Sequence, residues 1–285
     1  MIQPFYTDPA ITLYQGEALA TLQGLPDGAV EALVTDPPYS SGGFTRGDRN
    51  QDPGDKYVQD GTGITRPSFT GDNRDGRSWC YWCALWLSEC ARIVKPGGYA
   101  LMFTDWRMLP LATDALQAAG WLWRGIIAWD KGLGARAPHK GYFRHQCEYI
   151  VWGTRGMCAA ATHAGPFAGC YRVPVLQSDK HHMTGKPTAL MGALLECIPP
   201  GATVLDPFSG SGTTLVAAAQ TGRRGIGIEM ESEYCRITVD RLRQIGAQPD
   251  LLTLNCGTAD PESKPTVTPI GAQPDLAGIT APTSP

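Results

Sequence analysis

Two short constellations in this chain have residue types and spacing suited to chemistry. The first is Asp36-Pro37-Pro38-Tyr39. It follows a β-prone run, and two consecutive prolines cannot continue a central ladder, so a strand must end there. Prolines stiffen the turn and leave carbonyls without local N–H partners. Those carbonyls, with the Asp36 carboxylate, can accept hydrogen bonds from a ligand amine, and Tyr39 offers a flat face for stacking a base. Together they would grip an exocyclic NH2 group from two directions. The plain alternative is a proline-terminated strand carrying a stray aspartate. The second constellation is Asp206-Pro-Phe208-Ser209-Gly210-Ser-Gly212-Thr213, between a predicted strand and helix. Glycines there permit a sharp turn and close approach of a ligand, and the helix N-terminus that follows favours an anionic group. Glu229 closes the next predicted strand, where a carboxylate can accept from ribose hydroxyls. That register points to a nucleoside-containing cofactor. The loop has neither the Lys of a phosphate-binding P-loop nor the third glycine of a dinucleotide fingerprint.

The elements that must position these residues follow from the hydrophobic pattern. Strands are predicted at 11–14, 30–35, 99–104, 121–129, 148–152, 203–205 and 225–228. Helices are predicted at 18–25, 79–94, 108–120, 187–197, 213–221 and 232–244. Strands alternating with helices mean an α/β fold with a mainly parallel sheet and helices on both faces. Residues 40–78 are rich in Gly, Asp and Arg and read as a long mobile loop. Residues 153–181 read as irregular and basic. Beyond residue 245 Pro and Thr dominate, and the heptapeptide IGAQPDL occurs at both 245–251 and 270–276. One repeat pair is too short for a solenoid, so residues 246–285 are expected to be a disordered tail.

These residues, taken in order, resemble the β group of S-adenosylmethionine-dependent DNA amino-methyltransferases over roughly residues 10–245. In that group the catalytic tetrapeptide precedes the cofactor loop, a circularly permuted order of a Rossmann-like methyltransferase fold. Asp36–Tyr39 followed by Phe208-Ser-Gly-Ser-Gly212 has that order. Gln15-Gly16-Glu17 stands where the family has Gly-Asp beside the cofactor adenine, with Glu17 in place of the aspartate. Lys95-Pro-Gly-Gly98 matches a helix-to-strand junction, and His182-Met-Thr-Gly-Lys186-Pro187 matches the segment before the cofactor loop. The resemblance implies catalytic roles for Asp36, Pro37, Pro38 and Tyr39. It implies cofactor contacts for Glu17, Lys186, Asp206, Phe208, Ser209, Gly210, Gly212, Thr213 and Glu229.

It further implies methyl transfer to an exocyclic amine of a base flipped out of duplex DNA, with no covalent intermediate. Asp at position 36 favours adenine N6, with cytosine N4 as the close alternative. Cytosine carbon-5 methylation needs a cysteine nucleophile, typically after proline, and no Pro-Cys dipeptide occurs. Relatives acting on RNA or protein glutamine place the cofactor loop first, and a non-catalytic DNA-binding module would not need both constellations. Target recognition is expected at about 153–181, shared with the 40–78 loop. The family often forms dimers, so a homodimer is an open expectation for assembly.

The composition sets the limits. The 285 residues are 42% hydrophobic and 18% charged, enough for one sizeable core. No apolar run has the roughly 18 residues that a membrane span needs, and the start lacks the pattern of a secretory signal. A cytoplasmic protein with free thiols is therefore expected. The net charge of −3 hides a basic middle: residues 92–186 hold twelve Lys/Arg against five Asp/Glu, between acidic flanks. That suits a polyanion partner. Cys80, Cys83 and Cys90 have partial zinc spacing but lie on an apolar helix, and Cys158, His163 and Cys170 lack a fourth ligand. Both sets read as non-ligating, and no metal is expected.

Overall fold

The computed structural model describes residues 2–39, 74–133, 140–158, 165–174, 185–246 and 268–269. Its strands are β1 (Tyr6–Thr7), β2 (Ile11–Gln15), β3 (Val30–Thr35), β4 (Val94–Thr104), β5 (Leu122–Asp130), β6 (Cys147–Thr154), β7 (Cys170–Arg172), β8 (Thr203–Asp206), β9 (Arg224–Glu229) and β10 (Thr268–Pro269). Its helices are α1 (Ala18–Gln23), α2 (Gly76–Ile93), α3 (Leu109–Ala118), α4 (Thr188–Leu195), α5 (Thr213–Gln220) and α6 (Ser232–Gly246).

The strands form one sheet in the order β1-β2-β9-β8-β3-β4-β6-β5-β7-β10. From β2 through β4 all neighbours are parallel. Beyond β4 the direction changes, because β6 lies antiparallel to both β4 and β5. Side-chain alternation feeds a core on each face of the sheet. Leu33, Ala100 and Met102 turn toward α2 and α3, where Trp79, Trp86, Leu87 and Leu116 are buried. Ala32, Val34, Leu101 and Phe103 turn toward α4 and α5, against Leu190, Leu194, Leu195 and Ala217. The period of two along each strand is what lets one sheet bury both faces.

Several elements depart from the sequence expectation, among them the unpredicted β1 and the early start of β4 at Val94. Helix α2 starts at Gly76, three residues before the predicted start, because the Asp75 carboxylate accepts from Arg77 N and Ser78 N and caps it. Within the segment read as irregular, Cys170–Arg172 is a strand parallel to β5. The Trp129 indole fixes the end of that strand by donating to Val173 O at 2.8 Å. In the tail read as disordered, Thr268 and Pro269 pair antiparallel with Arg172 and Tyr171. Residues 40–73 of the expected loop, 159–164 and 175–181 of the expected recognition segment, and His163, His181 and His182 lie outside the described residues. So does most of the tail.

Cys83 and Cys90 sit fully buried in the α2 core, as the apolar helix pattern predicts. Among the described residues no group of three or more His, Cys, Asp or Glu side chains could hold a metal ion. No described helix is long and apolar enough to cross a membrane.

Candidate active site

Strands β3 and β8 are neighbours at the centre of the sheet, and both end at the same edge. Their C-termini bring the two sequence constellations together. Thr35 Oγ1 donates to Asp206 Oδ1 at 2.7 Å, across 171 positions of chain. Asp36 is the next residue. The tetrapeptide it opens is held from two sides. From α2, the buried Trp79 indole donates to Pro38 O at 2.7 Å. From the opposite side, Lys186 Nζ lies 2.5 Å from Asp36 Oδ2 and 3.4 Å from the Tyr39 hydroxyl. The same ammonium stands 3.5 Å from Glu148 Oε2 at the start of β6, and 5.6 Å over the Tyr39 ring. Lys131 Nζ engages the other oxygen of Glu148 at 3.1 Å.

Two carboxylates and two ammonium groups thus form a compact, charge-balanced cluster. Burial alone would lower the pKa of Lys186, but Asp36 and Glu148 more than offset it and hold the pKa above the ordinary lysine value. Burial likewise opposes ionisation of Glu148, and Lys186 and Lys131 overcome it, so its carboxyl titrates below its usual range.

The Asp206–Thr213 loop is a second rigid feature. Gly210 N donates to Glu229 Oε2 at 2.8 Å, and Glu231 N donates to Glu229 Oε1 at 2.8 Å. Ser209 N and Oγ both donate to Ile228 O. Arg241 of α6, buried, donates to Ser211 O and Thr213 Oγ1. Gly212 caps α5 in the left-handed region, φ 79°, and a Cβ there would stand 2.4 Å from Thr238 Cγ2. Phe208 packs between Trp82 and Trp86, with ring centroids at 5.4 and 5.0 Å. Asp206 lies at the base of the loop. Burial pushes its pKa up to about 6, with Asp36 adding like charge, against hydrogen bonds from Thr214, Thr35 and Phe208 N. Burial also raises Glu229 despite its backbone donors. The loop therefore holds desolvated negative charge beside a helix N-terminus and the Asp36–Tyr39 turn.

A family model described as DNA methylase matches residues 30–158 and 163–240. The chain belongs to this family of N6/N4 DNA amino-methyltransferases. The methylase YubD of Escherichia coli (strain K12) is 31% identical over 232 residues, spanning 81% of this chain and 89% of that protein. The type II methyltransferase M.HinfI of Haemophilus influenzae is 26% identical over 271 residues, spanning 85% of this chain and 71% of that protein. Two solved structures show the same fold. The M1.HpyAVI–SAM complex has a TM-score of 0.59 at 24% identity, covering 81% of this chain and 98% of that one. The cytosine-N4-specific PvuII DNA methyltransferase has a TM-score of 0.65 at 15% identity, covering 88% and 95%.

The methyl donor of this methylase family is S-adenosylmethionine, and the residues present fit it. A buried carboxylate pushed up in pKa, as at Asp206, is the kind of group a cationic ligand relieves. The Gly210–Gly212 turn leaves no room for a side chain at Gly212, where Thr238 of α6 packs against it.

Of the residues singled out in the sequence, the fold gathers Asp36, Pro37, Pro38 and Tyr39 on one side. It places Asp206, Phe208, Ser209, Gly210, Gly212, Thr213 and Glu229 on the other. Glu17 stands at the next strand end, where Gly16 N donates to Glu229 O, but its carboxylate is exposed and caps α1 by accepting from Ala20 N at 2.7 Å. Lys186, grouped with the cofactor loop on sequence, instead has its ammonium in the Asp36 cluster. Glu148, Lys131 and Trp79 were not singled out. A carboxylate opening an otherwise apolar strand was the available signal for Glu148.

Proposed function

We propose that this methylase transfers a methyl group to the exocyclic N6 of adenine in duplex DNA, with Asp36 and the Pro37 carbonyl as the amine acceptors. The observation that carries the reading is the Thr35–Asp206 hydrogen bond. It joins an amine-gripping turn to a loop suited to a cationic nucleoside, so donor and acceptor share one strand edge. S-adenosylmethionine supplies an electrophilic methyl on a positively charged sulfur. The target nitrogen is a poor nucleophile because its lone pair is conjugated with the ring. Acceptors at Asp36 and Pro37 favour an sp3-like amine whose lone pair points at the methyl, and positioning and electrostatics supply the acceleration. Tyr39 stacks the flipped base. Glu229, Asp206 and the 208–213 backbone orient the donor, and Glu17 stands at the neighbouring strand end, one residue after Gly16, whose N–H bonds Glu229 O.

Cytosine N4 is the second reading, favoured by the fold shared with the cytosine-N4-specific PvuII enzyme over 88% of this chain. Both amines suit the same acceptors. Nucleoside mass spectrometry after incubation with S-adenosylmethionine and unmethylated DNA separates them. N6-methyladenine is the expected product, and N4-methylcytosine would overturn the adenine assignment. Asp36→Ala is expected to abolish transfer while leaving cofactor affinity near normal; retained activity would refute its role.

A further inference from the structure

We infer that Lys186, steadied by Glu148, is a positioning residue that fixes the amine acceptor Asp36 relative to the stacking face of Tyr39. The inference rests on the methyltransfer reading above. One ammonium reaches both ends of the tetrapeptide: Asp36 Oδ2 at 2.5 Å and the Tyr39 hydroxyl at 3.4 Å, with its charge 5.6 Å from the Tyr39 ring. Phe103 closes the other side, its ring 5.2 Å from Nζ. Lys186 is itself buried, so water cannot take its place without opening the sheet edge.

A lysine bound only to Asp36 would compete with the incoming amine for that carboxylate. Glu148 lessens that competition by offering the ammonium a second, more distant carboxylate. Its Oε2 draws the same ammonium from 3.5 Å and lies 3.5 Å from the Tyr39 hydroxyl. Lys131 in turn neutralises Glu148 through its other oxygen. The ammonium lies closer to Asp36, at 2.5 Å, than to Glu148, at 3.5 Å, so its bond to Asp36 fixes the orientation of that carboxylate while Glu148 steadies the lysine. Among the described residues, Lys186 faces Asp36 directly, Glu148 of β6 faces the same ammonium, and Asp206 lies across the Thr35 bridge. Without the ammonium, three carboxylates would crowd one strand edge.

The test compares wild type with Lys186→Met, Lys186→Arg and Glu148→Gln. Unmethylated plasmid DNA is the substrate, kcat and KM are measured, and calorimetry gives the S-adenosylmethionine affinity. A wild type that methylates no DNA would defeat the functional reading before any variant is compared. With wild-type activity in hand, Lys186→Met is expected to lower kcat about 100-fold, the cost of a roughly 1 Å misplacement. KM for DNA and cofactor affinity should stay within about twofold, because the lost interaction acts in the transition state. Lys186→Arg should recover part of the loss, since a guanidinium can bridge two carboxylates. Glu148→Gln should lower kcat less than Lys186→Met.

Unchanged kcat in both Lys186→Met and Glu148→Gln overturns the inference. So does weakened cofactor affinity with wild-type kcat at saturation, which would return Lys186 to the cofactor. Should Lys186→Met fail to fold, the Arg and Gln variants decide by the same readouts.

Discussion

Asp206 carries the most informative single titration in the site. Burial pushes its folded-state pKa from an ordinary 3.8 up to about 6. The folded protein therefore binds a proton at Asp206 that the unfolded chain has already released in this window. The stability cost is absent below pH 4, grows as pH rises, and is complete above pH 6, at about 3 kcal/mol. Asp206→Asn keeps an acceptor for Thr35 and Phe208 N but removes the charge. Urea unfolding at pH 4.5 and 7.5 should show the variant gaining on wild type toward the higher pH, while its S-adenosylmethionine affinity falls. A gain toward the lower pH would show that the carboxylate is not desolvated. At this scale the sequence revealed what is local. Asp36–Tyr39 and Phe208–Gly212 are contiguous runs whose chemistry can be read without a fold. Glu148 lies 109 positions from Tyr39, and Lys186 lies 150 positions from Asp36. A charge whose meaning depends on such neighbours becomes readable only once the strands are ordered.

The elements act as clamps on those residues, and α2 is the clearest case. Its Trp79 indole N–H satisfies the Pro38 carbonyl, in a turn where two of the four residues carry no backbone N–H. Trp79→Phe retains most of the apolar volume and removes only the donor. A partly buried carbonyl left without its partner costs up to about 1–3 kcal/mol. The variant should unfold at lower urea and show a reduced kcat, with cofactor affinity unchanged; equal kcat would mean that the clamp serves stability alone. The elements that were legible are those with a long pattern. β3 is found where Val30–Thr35 predicts it, because VEALVT is a β-branched, apolar run closed by proline. The three residues of β7 have no period to detect, and two-residue pairings such as Thr268–Pro269 are set by the neighbouring strand rather than by their own sequence. The start of α2 was missed because Asp75 lies inside a glycine- and charge-rich stretch that masks its role as a cap.

On the scale of the whole molecule, the strand order sets where duplex DNA can approach. Asp36, Glu148 and Asp206 lie along one sheet edge, and on the proposed roles of these residues the target base enters there. The β4–α3 turn and the described residues 140–146 before β6 rise from the same edge. Trp106 stacks on His145 with ring centroids 5.7 Å apart and planes 20° from parallel, tying those two segments together. Beside them Lys140, Tyr142, Phe143 and Arg144 are exposed, Phe143 at 95%. Aromatic faces interleaved with cations suit a nucleic acid surface, and these cations come from the basic middle of the chain. Replacing Lys140 and Arg144 together with Ala should weaken duplex binding at 150 mM salt and flatten the plot of log affinity against log salt. The slope should fall by about two units if each side chain meets a phosphate. Cofactor affinity should not move, since neither residue belongs to the Asp206 loop. An unchanged salt slope with normal cofactor binding would place the duplex on another face. Methyl transfer would then require the base to reach Asp36 from a direction that the Trp106–His145 stack does not border.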